Sequence, residues 1–266
     1  MCIRDSQSSL LSAAKFDQNY NSQYSYIAKV GYPMGMMYGF IYEGTYKYED
    51  FDKVGDTYTL KRNVPYFSSE SNTQPGMPKY ADLNGDGIID DNDRTMIGNG
   101  MPKHTGGFTN NFEYKGFDLS IFFQWSYGND VLNANRLFFE NSNKTRDLNQ
   151  YASYADRWTP ENPESNIPRA TDSGSNKVFS TRIIEDGSFL RLKTVSLGYT
   201  LPKQLTKKWK IDNARVFVAG QNLWTCTGYS GYDPEVSIRE GALTPGLDFS
   251  AYPRAYSISF GINLGF

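Results

Sequence analysis

The last twelve residues, AYSISFGINLGF, leave few choices of structure. Tyr256, Ile258, Phe260, Ile262, Leu264 and Phe266 are apolar, while Ala255, Ser257, Ser259, Gly261, Asn263 and Gly265 between them are small or polar. A strand alternates its side chains between two faces, so this segment is greasy along one whole face and carries no large hydrophobe on the other. A soluble sheet does this by laying one face on a core. A barrel in lipid does it by turning the greasy face outward around a polar lumen.

The pattern recurs upstream. In FDLSIFFQWS, Phe117, Leu119, Ile121, Phe123 and Trp125 share one parity, with Phe122 the exception. In GFTNNFEYKG, Phe108, Phe112 and Tyr114 do the same. The two runs meet at Lys115-Gly116, which predicts a tight hairpin. Met36, Tyr38, Phe40, Tyr42, Tyr46 and Tyr48 keep a common parity, and further strands are expected over 22–30, 189–201 and 214–223. Aromatic residues make up 15% of the chain, as suits pleated strands and membrane–water interfaces. Trp125, Tyr127, Tyr199, Trp224 and Tyr252 are candidates for interfacial girdles. Mean hydropathy is −0.58, and no apolar run approaches the ~20 residues of a membrane helix.

The connections are unequal. Long polar stretches cover about 49–106, 127–187 and 224–253, whereas the joins near 31–35, 115–117 and PKQLTKKWKIDN are shorter. Counted back from Phe266, the long stretches fall on one side and the shorter joins on the other, as in outer-membrane barrels. The expected fold class is therefore all-β, an antiparallel transmembrane barrel with long extracellular loops. Residues 1–6, MCIRDS, lack the apolar segment of a secretory signal and are set aside as a candidate non-native leader.

Several functions are disfavoured. A formal charge of −2 gives no electrostatic case for nucleic acid. The single histidine, His104, and two distant cysteines, Cys2 and Cys226, make no zinc, disulfide or histidine-based catalytic pattern. Glu185-Asp186 could suggest glycosidase carboxylates, but a solvated turn is the simpler reading. Lys203, Lys207, Lys208 and Lys210 read as a solvated basic face, and Tyr229 and Tyr232 as loop anchors. No catalytic residue is expected.

One segment does carry recognisable ligand chemistry. In DLNGDGIIDDND, Asp82, Asn84, Asp86, the Ile88 carbonyl, Asp90 and Asp93 occupy positions 1, 3, 5, 7, 9 and 12 of an EF-hand loop, with Gly87 at its sharp turn. Hard oxygen ligands at this spacing predict a structural calcium ion. Asp93 replaces the usual glutamate, and the sequence after it has no helical period. A staple inside a long loop is expected, with an acidic solvated turn as its competitor.

Three segments resemble the late-barrel region of SusC/RagA-type TonB-dependent outer-membrane transporters: YADLNGDGIIDDNDRTMIGNGMPKHTGGFTNNFEYKGFDLSIFFQWSYGNDVLNANR, GSFLRLKTVSLGYTLPKQL, and ARVFVAGQNLWTCTGYSGYDPEV followed by the closing strand. The resemblance covers nearly all of 23–266. It implies that residues 7–266 are the C-terminal part of a plugged barrel of ~22 strands, supplying about seven to ten of them, with the plug upstream. It also implies import of an oligosaccharide or peptide, coupling to the TonB complex through the plug, a SusD-like surface lipoprotein, and location in the outer membrane of a Gram-negative cell. Phe260, Ile262, Leu264 and Phe266 further look like the strand signal read by the barrel-assembly machinery. Two rival readings are a small autonomous pore or adhesin and a secreted calcium-dependent carbohydrate-binding β-protein.

Overall fold

The computed structural model describes residues 10–15, 24–141, 149–171, 178–237 and 243–266. The candidate leader, residues 1–6, lies outside them. Two compact units emerge: residues 1–101, 130–185 and 237–251 form the first, and residues 102–129, 186–236 and 252–266 the second.

The first unit contains a four-stranded antiparallel sheet of β1 (Leu10–Lys15), β2 (Tyr24–Lys29), β3 (Met36–Gly39) and β4 (Thr95–Asn99), in that order. The long connections supply most of the rest. Tyr26 and Met37 are buried with Leu132, Leu137, Phe179 and Leu247. A second cluster joins Phe40, Tyr80, Ile89 and Val178, and a third joins Tyr46, Phe51 and Leu60. These connections are thus packed bodies with cores of their own, which accounts for apolar residues scattered through otherwise polar stretches.

Three expectations are corrected here. The shared parity of residues 36–48 is not one strand: β3 ends at Gly39, where Phe40 donates its N–H to Phe179 O (2.9 Å) and accepts from Thr181 N (3.0 Å). Phe40 and Tyr46 then turn inward, and the Tyr46 hydroxyl donates to Pro65 O at 2.7 Å. The stretch 49–106 is not all connection, because β4 lies within it and pairs with β3. Finally, the join at 31–35 packs against a long connection. Gly100 N–H donates to Gly35 O (3.1 Å), and a Cβ on Gly35 would strike the Pro245 ring. Join length alone therefore misassigns its side.

The second unit is a five-stranded antiparallel sheet of β5 (His104–Tyr114), β6 (Phe117–Tyr127), β7 (Phe189–Thr200), β8 (Asn213–Thr227) and β9 (Ser257–Gly265), each paired to the next. Strands of nine to fifteen residues match the ~9–11 needed for a tilted membrane crossing. The expected hairpin is present. Lys115 (φ 47°) and Gly116 (φ 87°) both take positive φ, the requirement of a type I′ turn whose twist suits the flanking strands. Gly116 O accepts from Thr200 N (2.7 Å), and a Cβ on Gly116 would sit 2.8 Å from Thr200 O. Gly116→Ala is therefore expected to cost about 1–3 kcal/mol through strain and this collision, read as a lowered urea midpoint for unfolding from liposomes.

Register explains the imperfect alternation in β7 and β8. Lys193 is an extra residue between Leu192 and Thr194, opposite the adjoining Phe122 and Phe123 of β6, and Asn222 of β8 takes φ 52° at the same level. The bulge shifts parity in mid-strand. Elsewhere cross-strand rows are uniform: Phe112–Leu119–Leu197–Val218–Phe260 and Asn110–Ile121–Val195–Gly220–Ile258 lie on one face, and Asn111–Ser120–Ser196–Ala219–Ser259 on the other. Phe122 belongs to the polar face, beside Thr109 and Thr194. No helix among the described residues is long and apolar enough to cross a membrane.

Candidate functional site

Among the described residues, the apolar face of the five-stranded sheet is exposed. Phe112, Leu197, Val216, Trp224, Ile258 and Phe260 are all exposed. Phe108 stacks on Phe123 (centroids 5.0 Å) and Phe117 meets Tyr199 (4.5 Å), so the rings form cross-strand ladders. Uncovered apolar surface this continuous requires a nonaqueous partner. The candidate assembly residues Phe260, Ile262, Leu264 and Phe266 are all exposed, the first three on β9 and the last just beyond it. Trp125 and Trp224 lie on strands of this sheet, whereas Tyr252 is outside any strand.

The opposite face carries the polar chemistry. Asp118 on β6 and Arg215 on β8 form a two-pronged ion pair across the intervening β7. They meet over Gly198, where any Cβ would collide with both side chains. Arg215 also lies over the Phe217 ring at 5.2 Å, and Phe217 covers Gly261. These residues border an open cleft of about 550 Å³ beside the β5–β6 turn, lined also by Glu113, Lys115 and Thr200.

At the other end of the sheet the segment 228–236 is clamped by charge. The Arg191 guanidinium, buried on β7, donates to Asp233 and to Glu235 Oε2 (3.2 Å). Lys193 reaches Glu235 at 3.4 Å and Arg254 reaches it at 3.1 Å. Burial pulls the Asp233 carboxyl upward, but the Arg191 hydrogen bond and the N–H groups of Glu235 and Arg254 outweigh this and hold it below the usual carboxylate range. Sequence reading missed this clamp: its partners lie over forty residues apart, and neither RLK nor YDPEV carries a local pattern.

The acidic loop is held by a set of hydrogen bonds of its own. Asp82 accepts from Gly85 N (2.7 Å) and Gly87 N (2.8 Å), Asp86 from Ile88 N (2.8 Å), and Asp90 from Asn92 N (2.7 Å). The Asn84 amide donates to Asp86 Oδ2 (3.0 Å), and Ile88 sits in a two-residue strand beside Tyr66. Asp93, wholly buried, accepts from Leu83, Asn84 and Asp90 N–H groups. Burial alone would raise its carboxyl; the three amides reverse this and hold it low. No three His, Cys, Asp or Glu side chains among the described residues gather so as to hold a metal ion. In this arrangement the carboxylates accept from backbone amides. Asp93→Ala would strand three donors, costing roughly 1–3 kcal/mol locally. Limited proteolysis is expected to show faster cutting within 82–93.

The remaining candidates have structural roles. The Trp125 indole donates to His104 Nδ1 (3.1 Å), which stacks on Tyr127. Glu185 is not solvated: it accepts from Asn133 and faces Arg136 at 3.5 Å. Asp186 accepts from Ser188 N (2.9 Å), as a turn cap does. The lysine cluster is exposed on short turns of helix.

No protein-family model matches the chain. A TonB-dependent receptor of Formosa agariphila is 34% identical over 247 residues, covering 90% of this chain and 23% of the relative. A second from that organism is 39% identical over 197 residues, 72% of this chain and 20% of the relative. The TonB-dependent receptor SusC of Bacteroides thetaiotaomicron is 28% identical over 198 residues, 74% of this chain and 18% of its own. Among solved structures, the RagAB peptide transporter matches with TM-score 0.68 at 26% identity, over 91% of this chain and 24% of that one. The chain thus spans about a quarter or less of the length of the curated relatives it matches. With the two-faced antiparallel sheet, these similarities place it: the chain belongs to the SusC/RagA family of TonB-dependent receptors.

Proposed function

We propose that the chain supplies wall strands and surface connections of an outer-membrane importer for glycans or peptides. The observation carrying this is the five-stranded sheet, apolar and uncovered on one face and polar with ion pairs on the other. Lipid meets the first face and the aqueous lumen the second. Import would be energised by the TonB complex through a plug, with a SusD-like lipoprotein at the surface. These roles follow the relatives, as does the reading that the protein performs no covalent chemistry. The test is fluorescence in liposomes of brominated lipid. Trp125 and Trp224 emission should be quenched, and Trp125→Phe with Trp224→Phe should remove most of the quenching. A chain that is soluble without detergent and unquenched would return the reading to a secreted β-protein.

Two subordinate readings rest on the same segments as before. Phe266, with Phe260, Ile262 and Leu264, would be read by the barrel-assembly machinery; deleting Phe266 from the full-length receptor is expected to lower the amount recovered in outer membranes. Calcium would bind Asp82, Asn84, Asp86, the Ile88 carbonyl, Asp90 and Asp93, on carboxylate lone pairs that the backbone amides leave free. The EF-hand spacing supports this reading. Titration calorimetry decides it: a saturable calcium signal lost in Asp82→Asn supports it, and no signal at millimolar calcium removes it.

A further inference from the structure

We infer that the short-turn end of the five-stranded sheet is a docking surface for an anionic glycerophospholipid, held by its phosphate. The inference rests on the membrane reading above and names the lipid that meets the sheet there. Hydrogen bonds tie the turns at this end together. Thr200 N–H donates to Gly116 O (2.7 Å), Leu201 N–H to Ala214 O (2.9 Å), and Asp212 N–H to Gly265 O (2.8 Å). Lys115 in the first turn therefore shares one end of the sheet with Lys203, Lys207, Lys208 and Lys210 in the second. All five are exposed. Among the described residues none of them is in an ion pair; the lysines that are paired are Lys47, Lys79 and Lys193.

The surface beside these lysines is apolar on the lipid side. Tyr114, Phe117, Tyr199, Val216 and Ile262 form the last row that crosses all five strands on that face before the turns. Its tyrosines suit the boundary between acyl chains and headgroups, where one end of the ring is apolar and the other wet. Leu205 is exposed among the lysines, and Phe266 is exposed just beyond β9. Apolar residues and lysines thus meet at one level, where lysine stems lie on hydrocarbon and their ammonium groups reach phosphate. The acids at this end lie on the other face. Glu113 is opposite Asp118 on the polar side, and Asp118 is held by Arg215. Within residues 202–213 four lysines stand against one acid, Asp212.

The second turn holds its lysines in a closed body. Pro202 O accepts from Leu205 N (2.9 Å), Lys207 O from Lys210 N (3.2 Å), and Thr206 O from Ile211 N (3.2 Å), while Thr206 itself is buried. Helical backbone runs from Lys203 to Trp209, so Lys203 and Lys207, four residues apart, place like charges on one face. Such a pair repels, and an anion between them removes that cost. Phosphate supplies the charge, and lysine ammonium groups meet it as point charges from several directions. A zwitterionic headgroup brings its own cation into the patch, so a net-negative lipid is selected. Continuity with the apolar face argues for a lipid over a free anion, because acyl chains and phosphate are met together.

The test is native mass spectrometry of the full-length receptor in neutral detergent, offered equal amounts of phosphatidylglycerol and phosphatidylcholine. The parent is expected to retain phosphatidylglycerol over phosphatidylcholine by about tenfold or more. Combining Lys203→Gln, Lys207→Gln, Lys208→Gln and Lys210→Gln should bring that ratio close to one. The corresponding four Lys→Arg changes should keep it, because charge is what they share. Equal retention of the two lipids by the parent, or a preference indifferent to the Gln changes, would overturn the inference. So would loss of phosphatidylglycerol to millimolar inorganic phosphate, which marks a site for the free anion. Quenching of the same receptor by brominated phosphatidylcholine reports insertion separately. Quenching without lipid preference defeats this inference alone, and absence of quenching defeats the membrane reading with it.

Discussion

Val195→Arg is expected to destabilise the receptor in a bilayer by roughly 2–4 kcal/mol, whereas Ser196→Arg, one residue on, should be nearly neutral. Val195 sits near the middle of β7, between Ile121 of β6 and Gly220 of β8. An arginine there has no lumen to reach, and its charge must be buried in hydrocarbon or dragged along the strand to the interface. Ser196 projects to the opposite face, beside Ser120 and Ala219, where a guanidinium stays wet. Urea titration of the receptor in liposomes measures both. Equal losses for the two variants would mean the sheet is not two-faced toward lipid and water. A larger loss for Ser196→Arg would mean that the faces are assigned the wrong way round.

Much of the sheet was legible in advance because a strand side chain has only two places to go. Wherever one face meets lipid along its whole length, parity is enforced residue by residue, as in Tyr256–Phe266, and the hairpin is marked by a glycine. Parity failed as a guide where its cause changed. Phe40 and Tyr46 continue the rhythm of Met36 and Tyr38, yet they are apolar because they fill cores built from distant connections. Nothing local distinguishes a ring facing lipid from a ring facing Ile89. The join at 31–35 was misassigned for a related reason: its length is its own, but its contact with Pro245 belongs to the tertiary structure. In the acidic loop the amide-capping contacts were not foreseen, because the side chains that ligate cations also cap tight turns. The Arg191–Asp233 clamp was invisible, since it joins residues whose neighbours in sequence say nothing of one another.

Arg191→Met is expected to release the segment 228–236, with a cost of about 3–5 kcal/mol, because it leaves Asp233 buried and unpaired. Asp233 is 4% exposed and its two oxygens already accept from the N–H groups of Glu235 (2.9 Å) and Arg254 (3.1 Å), so it cannot simply swing into solvent. Asp233→Asn removes the charge opposite Arg191 and keeps one acceptor oxygen, so only one of the two backbone contacts survives; it should still cost less, since no buried charge is left unpaired and Glu235 still faces the guanidinium. The double variant should recover part of the loss, which identifies an interaction rather than two unrelated defects. The pH dependence has a definite sign. The Asp233 carboxyl is held below its usual value, so its contribution is complete above the unfolded carboxylate pKa of about 3.9 and is lost as pH falls through the lower folded value. Cleavage within 228–236, by an acid-active protease at low pH and a neutral protease near pH 7, should therefore rise below about pH 4 in the parent and be high in both conditions in Arg191→Met. If the two proteins are cut alike at neutral pH, the clamp does not hold the segment.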